Sequence, residues 1–105
     1  MKVKVEENES VLTAFLSGEI DHHSAKAARE QIDYAVERSG AKRLRLDFSE
    51  VSFMDSSGVG LVMGRFRNLQ SRGGETRICN ATPPVMRMLK LAGLDKLPIW
   101  EKEEK

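Results

Sequence analysis

The stretch at residues 52–64, which reads SFMDSSGVGLVMG, constrains the fold more than any other part of the chain. Three residues of the type that caps helices, Asp55, Ser56 and Ser57, stand directly before an apolar run with helical spacing. This run predicts a helix over residues 57–72, which two glycines then end. The first N–H groups of a helix lack partners within it and lie at the positive end of its dipole. The corner therefore favours a hydroxyl, a carboxylate or a phosphate.

Three glycines in this predicted helix, Gly58, Gly60 and Gly64, need a physical reason. Each costs about 1 kcal/mol of helix propensity relative to Ala in an exposed helix interior. A residue without a Cβ is accepted where the backbone packs closely on a sheet or where a partner approaches closely. We therefore expect the helix to lie close either to the sheet or to a partner.

The remaining pattern alternates strands with helices. Apolar residues that alternate with charged ones predict a strand at residues 43–48 with one polar face. Helical spacing predicts a first helix that Ser24 caps and Gly40 ends, and a third helix that begins after Thr82 and ends at Gly93. Further strands are predicted at residues 3–5, 11–17 and 76–79, with a last short edge strand at 97–100.

Strands and helices in this order predict an α/β fold. Short connections and right-handed crossovers make the strands of each strand–helix–strand unit parallel. We expect one domain with a four- to five-stranded mixed sheet and about three helices. Polar residues inside the strands, at positions 43, 45, 47 and 77, predict that one face of the sheet is less well covered.

Composition excludes several classes of protein. The chain of 105 residues carries 17 basic and 16 acidic residues, and the two signs are interspersed. It has one Trp and one Tyr to stack on bases, so the sequence shows no pattern typical of nucleic-acid binding. Cys79 is the single cysteine, which argues against a disulfide framework or a cysteine metal site. The chain shows no signal core and no apolar run of membrane-spanning length. We expect a cytoplasmic protein that contacts neither membrane nor nucleic acid directly.

Residue types that perform catalysis are sparse. His22 and His23 are adjacent on an expected loop, and no Glu or Cys lies at helical spacing to complete a metal site. Asp55 and Ser56 match neither a nucleophile elbow nor a phosphate-binding loop. Cys79 is best interpreted as a small core hydrophobe. From spacing alone, the simplest role of the three residues before Gly58 is to cap a helix.

Residue identity indicates more than capping. The segment FMDSSGVG at residues 53–60 is similar to the signature of the STAS superfamily, and specifically of the bacterial anti-sigma factor antagonists. The segment GEIDHHSA at residues 18–25 resembles the second signature of that subfamily, and its double His resembles the sporulation branch rather than the stress-response branch. We therefore expect a single STAS domain over residues 1–105, with its core at 3–100 and a charged tail at 101–105.

The resemblance implies a small switch protein that is a substrate and not an enzyme. By position, Ser56 would be phosphorylated by an anti-sigma factor serine kinase, and the partner-binding residues would be Asp21, Asp55, Ser56, Ser57 and Gly58. The unphosphorylated form would bind the kinase and displace a sigma factor, which would then direct sporulation transcription. A metal-dependent PP2C-type serine phosphatase would restore that form. We expect a monomer without a cofactor.

Two functions of other classes stay open at this point. One is a STAS module that binds a small ligand or nucleotide in the same corner, for which the sequence offers anion-binding N–H groups but no base-recognition residues. The other is an enzyme that uses His22 or His23 with Asp21, which nothing in the spacing demands. A stress-response antagonist is the variant within the same family.

Overall fold

The computed structural model describes residues 1–101. Its elements are β1 (Lys2–Asn8), β2 (Val11–Ile20), α1 (His22–Ser39), β3 (Arg43–Met54), α2 (Ser56–Ser71), β4 (Glu75–Cys79), α3 (Pro83–Leu91) and a 3-10 turn (Leu94–Lys96). The sheet has the order β1-β2-β3-β4, with β1 antiparallel to β2 and the other neighbours parallel. The predicted α/β class, mixed sheet and three helices are confirmed. Of the predicted charged tail, only Glu101 lies within the described residues.

The alternation in β3 explains how the sheet is covered. Leu44, Leu46 and Phe48 are fully buried and belong to one core cluster, to which each of the three helices contributes apolar residues. On the opposite face, Arg43 forms an ion pair with Glu75 and Arg45 donates two hydrogen bonds to the Glu101 carboxylate. Charged side chains that pair with one another therefore occupy the face that the core does not use.

Both central parallel strands run further than the sequence predicts. β2 continues to Ile20 and β3 continues to Met54, and these two residues are paired in register. Polar residues after Phe48 and the glycine at position 18 hide this continuation, because they interrupt the period-2 pattern. The register between β2 and β3 is irregular in the same region, between Phe15 and Ser17 and again after Gly18. The consequence is that β2 and β3 end level with each other.

The predicted last strand at residues 97–100 is wrong. Within the described residues this segment makes one isolated bridge to the sheet, between Ile78 and Trp100. Pro98 supplies no backbone N–H group to a ladder, which shortens the pairing that an edge strand would need. The Trp100 indole N–H donates to the carbonyl of Leu94, 3.1 Å away, and this bond ties the C-terminal segment to the 3-10 turn.

Candidate functional site

The candidate site lies where β2 and β3 end side by side. The backbone N–H of Asp55 donates to the carbonyl of Ile20 at 3.1 Å, one residue beyond the pair formed by Ile20 and Met54. Asp21 and Asp55 therefore follow neighbouring strands at the same edge of the sheet, and each precedes a helix. The carboxyl ends of parallel strands are where α/β proteins commonly build binding sites.

Asp21 is the N-cap of α1. Its Oδ1 accepts a hydrogen bond from the backbone N–H of Ser24 at 2.8 Å, and the Ser24 Oγ accepts one from the backbone N–H of Asp21 at 3.0 Å. This reciprocal capping box corrects the prediction that Ser24 is the cap. It also corrects the expected loop, because His22 and His23 form the first turn of the helix. Two capping-type residues three apart allow either start, and only the geometry distinguishes them.

Asp55 caps α2 in a related way. Its Oδ1 accepts the backbone N–H of Ser57 at 2.8 Å and also accepts the Ser57 hydroxyl in a short hydrogen bond. The helix begins at Ser56, one residue earlier than predicted. The Ser57 hydroxyl is thus bound within the cap and is not available to a partner without breaking it.

Ser56 differs from its neighbour in every one of these respects. It is the first residue of α2 and its side chain is exposed. Within residues 1–101 the Ser56 hydroxyl has no hydrogen-bond partner, whereas Ser57 next to it is held by Asp55. Of the two adjacent serines, Ser56 is therefore the one whose hydroxyl an approaching enzyme can reach.

The glycines of α2 have different surroundings. Gly58 is buried, and a Cβ at this position would overlap the side chain of Met54, so close packing on the sheet explains this glycine. At Gly60 and Gly64 a Cβ would meet nothing within 4 Å. Gly58 therefore supports the corner by letting α2 approach β3, while the sheet does not account for Gly60 or Gly64.

Both capping carboxylates are held in their charged form. Hydrogen bonds from the side chain and the backbone of Ser57 lower the pKa of Asp55, and they outweigh the opposing effect of the nearby Asp21 charge. Hydrogen bonds from the backbone and the side chain of Ser24 likewise lower the pKa of Asp21. At neutral pH Asp55 therefore places a negative charge directly before Ser56, and Asp21 lies near enough to Asp55 for the two charges to repel.

A cleft of about 430 Å³ opens between α1 and α2 and is lined at one point by Ser57, and we call it the α1–α2 cleft. Its lining residues are His22, His23, Ala25, Lys26, Arg29, Ser57, Gly60 and Leu61. The prediction from sequence missed Lys26 and Arg29, because single charges on a helix resemble ordinary solvent-facing positions. Their spacing from His22, four and seven residues along the helix, is the signal that places them on one face.

Other candidate chemistry has little support in the described part of the chain. Among residues 1–101 no three His, Cys, Asp or Glu side chains are grouped so that they could hold a metal ion. Cys79 is buried as expected, and burial raises the pKa of Cys79 to about 12, so its thiol is unreactive. In the same range of residues, no helix combines the length and the apolar character that crossing a membrane requires.

A model of the family described as the STAS domain matches residues 2–105 of the chain. The chain belongs to the STAS family. It is 38% identical over 104 residues to an anti-sigma F factor antagonist of Paenibacillus polymyxa, covering 98% of this chain and 89% of that relative. It is 34% identical over 105 residues to an anti-sigma-B factor antagonist of Bacillus subtilis (strain 168), covering 99% of this chain and 94% of that relative.

Solved structures give the same result for this STAS domain. The anti-sigma factor antagonist SpoIIAA in its unphosphorylated form matches with a TM-score of 0.83 at 32% identity, over 99% of this chain and 90% of that one. The phosphorylated form of SpoIIAA matches with a TM-score of 0.76 at 31% identity, over 99% of this chain and 93% of that one. The resemblance to anti-sigma factor antagonists is thereby confirmed.

We predict that Asp55→Asn lowers the melting temperature at pH 7 and that the deficit shrinks as the pH falls below about 4. Ser57 lowers the pKa of Asp55 in the folded protein, so ionised Asp55 stabilises the fold above the unfolded-state pKa. That contribution is lost as the pH falls through the lower folded-state pKa. Melting curves of both proteins from pH 7 to pH 3 test this, with Glu30→Gln on the exposed face of α1 as the control. A deficit that stays constant over this range would contradict the prediction.

Proposed function

We propose that this chain is an anti-sigma factor antagonist of the sporulation type and that phosphorylation of Ser56 switches it off. The unphosphorylated form binds an anti-sigma factor serine kinase and releases the sigma factor, which activates sporulation transcription. A PP2C-type serine phosphatase restores the active form. The observation that carries the proposal is the exposed Ser56 hydroxyl, without a partner among residues 1–101, at the start of α2.

The contrast between the two serines supports Ser56 as the phosphorylated residue. A kinase must place the attacking hydroxyl in line with the γ-phosphate of ATP, so this hydroxyl must be exposed and not held in a hydrogen bond within the protein. Ser57 donates its hydroxyl and its backbone N–H to Asp55. Phosphorylation of Ser57 would break the cap of α2, whereas phosphorylation of Ser56 leaves the cap in place.

The position of Ser56 supports a switch that acts on binding and not on folding. A phosphoryl group adds about 1.5 to 2 negative charges, which the N-terminus of a helix tolerates. Asp21 and Asp55 already place negative charge beside Ser56, because hydrogen bonds lower the pKa of each. A partner surface shaped for a neutral hydroxyl would then have to desolvate a concentrated negative charge. Phosphorylation should therefore weaken docking while α2 stays formed.

The relatives support the same proposal at two points. SpoIIAA has been solved in unphosphorylated and phosphorylated forms, and this chain shares its fold with both, at TM-scores of 0.83 and 0.76. One fold thus accommodates both states in that relative. The sporulation branch is favoured over the stress-response branch by the double His at positions 22 and 23, and by 38% identity to the anti-sigma F relative against 34% to the anti-sigma-B relative.

We predict that Ser56→Ala abolishes phosphorylation by the cognate anti-sigma factor kinase, and that Ser57→Ala is still phosphorylated. Each protein is incubated with the kinase and ATP, its intact mass is measured and the modified peptide is sequenced. Ser57→Ala serves as the matched control, because it removes the adjacent hydroxyl. We expect this variant to melt at a lower temperature, since its bond to Asp55 is lost. Phosphorylation of Ser56→Ala at the wild-type rate would show that the assignment is wrong.

Asp21 needs a test that separates capping from docking. Asp21→Ala removes both the cap of α1 and the charge, whereas Asp21→Asn removes the charge and keeps an oxygen that can accept from Ser24. We predict that both variants, in their unphosphorylated form, bind the anti-sigma factor kinase about tenfold or more weakly than the wild type, since a charged hydrogen bond to the partner is lost. Both variants should lower the melting temperature, Asp21→Ala more than Asp21→Asn, because the amide loses the charge that Ser24 stabilises but still accepts its hydrogen bond. Calorimetric titration and thermal melting measure both quantities, and wild-type affinity of Asp21→Asn would remove Asp21 from the docking surface.

A further inference from the structure

The α1–α2 cleft carries a charge pattern that folding does not explain. We infer that this cleft receives an acidic segment of the anti-sigma factor, an inference that rests on the proposed function. Ser57 lines the cleft and directly follows Ser56 in the chain. A kinase whose active site covers Ser56 therefore lies next to the cleft. Three features of the cleft and its surroundings support an acidic protein segment as its occupant.

The first feature is the presence of uncompensated cations. Lys26 and Arg29 are exposed, and neither forms an ion pair with any residue in the range 1–101. The lining contains no Asp or Glu, and the first turn of α1 contains no acidic residue. Folding therefore gives these two cations no carboxylate partner within residues 1–101. An anionic group from outside the chain would compensate them.

The surroundings of Arg29 strengthen this point. Arg65 of α2 is nearly buried, and its guanidinium lies 2.8 Å from the carboxylate of Asp33. Burial lowers the pKa of Arg65, attraction to Asp33 raises it, and repulsion by Arg29 lowers it further. The nearby carboxylate is thus already committed to Arg65, and Arg29 adds repulsion within the fold. The charge of Arg29 remains available to a partner.

The second feature is Gly60, which lines the cleft and is exposed. Its backbone does not adopt a positive φ, and a Cβ at this position would meet nothing within 4 Å. Neither a turn nor packing within the chain therefore requires glycine here, although glycine weakens a helix interior. Close approach of a partner segment to the backbone of α2 gives the missing reason.

The third feature is the arrangement of opposite charges around Ser56. Asp21 and Asp55 lie at the ends of β2 and β3, whereas Lys26 and Arg29 lie along α1 and line the cleft. A partner with a matching pair of patches, basic against the aspartates and acidic in the cleft, can dock in one orientation only. Complementary charges of this kind set the association rate and the specificity of a complex.

The charge test compares two matched pairs of exposed cations. Lys26→Glu/Arg29→Glu reverses the cleft, and Arg87→Glu/Lys90→Glu on α3 makes the same change of net charge at the same spacing. Binding of each protein to the purified anti-sigma factor kinase of the same organism is followed by stopped flow at low and high salt. We expect the cleft variant to associate about tenfold more slowly at low salt, with a reduced salt dependence, and the α3 variant to associate at nearly the wild-type rate.

The glycine test uses effects of opposite sign. Gly60→Ala should raise the melting temperature by about 4 to 8 °C, because Ala is the better helix former, while it weakens kinase binding severalfold. Gly64→Ala is the control, since Gly64 lies one turn later in α2, an added Cβ there would likewise meet nothing within 4 Å, and it does not line the cleft. It should stabilise the protein without altering kinase binding. A purely structural role of Gly60 cannot produce greater stability together with weaker binding.

The outcomes separate this inference from the proposed function. A wild-type chain that neither binds the kinase nor accepts phosphate on Ser56 overturns both. A wild-type chain that binds and is phosphorylated, while the cleft and Gly60 variants bind the kinase normally, overturns the inference alone. If ATP binds directly to the free chain and only the cleft variant loses this binding, with kinase binding intact, the cleft is a nucleotide site and the inference is wrong.

Discussion

The hydrogen bond from the backbone of Asp55 to the carbonyl of Ile20 fixes where β2 and β3 end, and the rest of the corner depends on it. Because the two strands end level, α1 and α2 begin side by side, and their capping aspartates become neighbours. The exposed serine, the acidic pair and the basic cleft then share one edge of the sheet. A slip of one residue between these strands would separate the two caps and place Ser56 away from Asp21.

Adjacent residues in this corner divide structural and functional tasks. Asp55 and Ser57 hold the first turn of α2 through hydrogen bonds, and Gly58 lets the helix approach Met54. Ser56, between them, makes no side-chain hydrogen bond within residues 1–101. A change of charge at Ser56 therefore breaks none of the hydrogen bonds that hold the first turn of α2. This division is the physical basis for a switch that alters binding without unfolding the domain.

The sequence predicted the parts that depend on local chemistry. Alternation in β3, the capping residues before α2 and the prolines at the start of α3 sufficed for the α/β class. Strand ends and the N-cap of α1 required tertiary information, because Gly18 interrupts the pattern of β2 and because Asp21 and Ser24 are both capping residues. The spacing of Lys26 and Arg29 could have placed them on one face of α1, but the cleft itself required tertiary information, since Lys26 and Gly60 come together only when α1 packs on α2.

The most direct test of a switch that alters binding without unfolding compares the unphosphorylated protein with the protein phosphorylated on Ser56, prepared with the kinase and purified by charge. The melting temperature of each form and its dissociation constant for the anti-sigma factor are measured in the same buffer. If phosphorylation acts on binding alone, the melting temperatures should differ by less than about 4 °C, which for a domain of this size corresponds to roughly 1 kcal/mol or less, and the phosphorylated form should bind at least about tenfold more weakly. A large fall in melting temperature that accompanies the loss of binding, or equal binding by both forms, would contradict it.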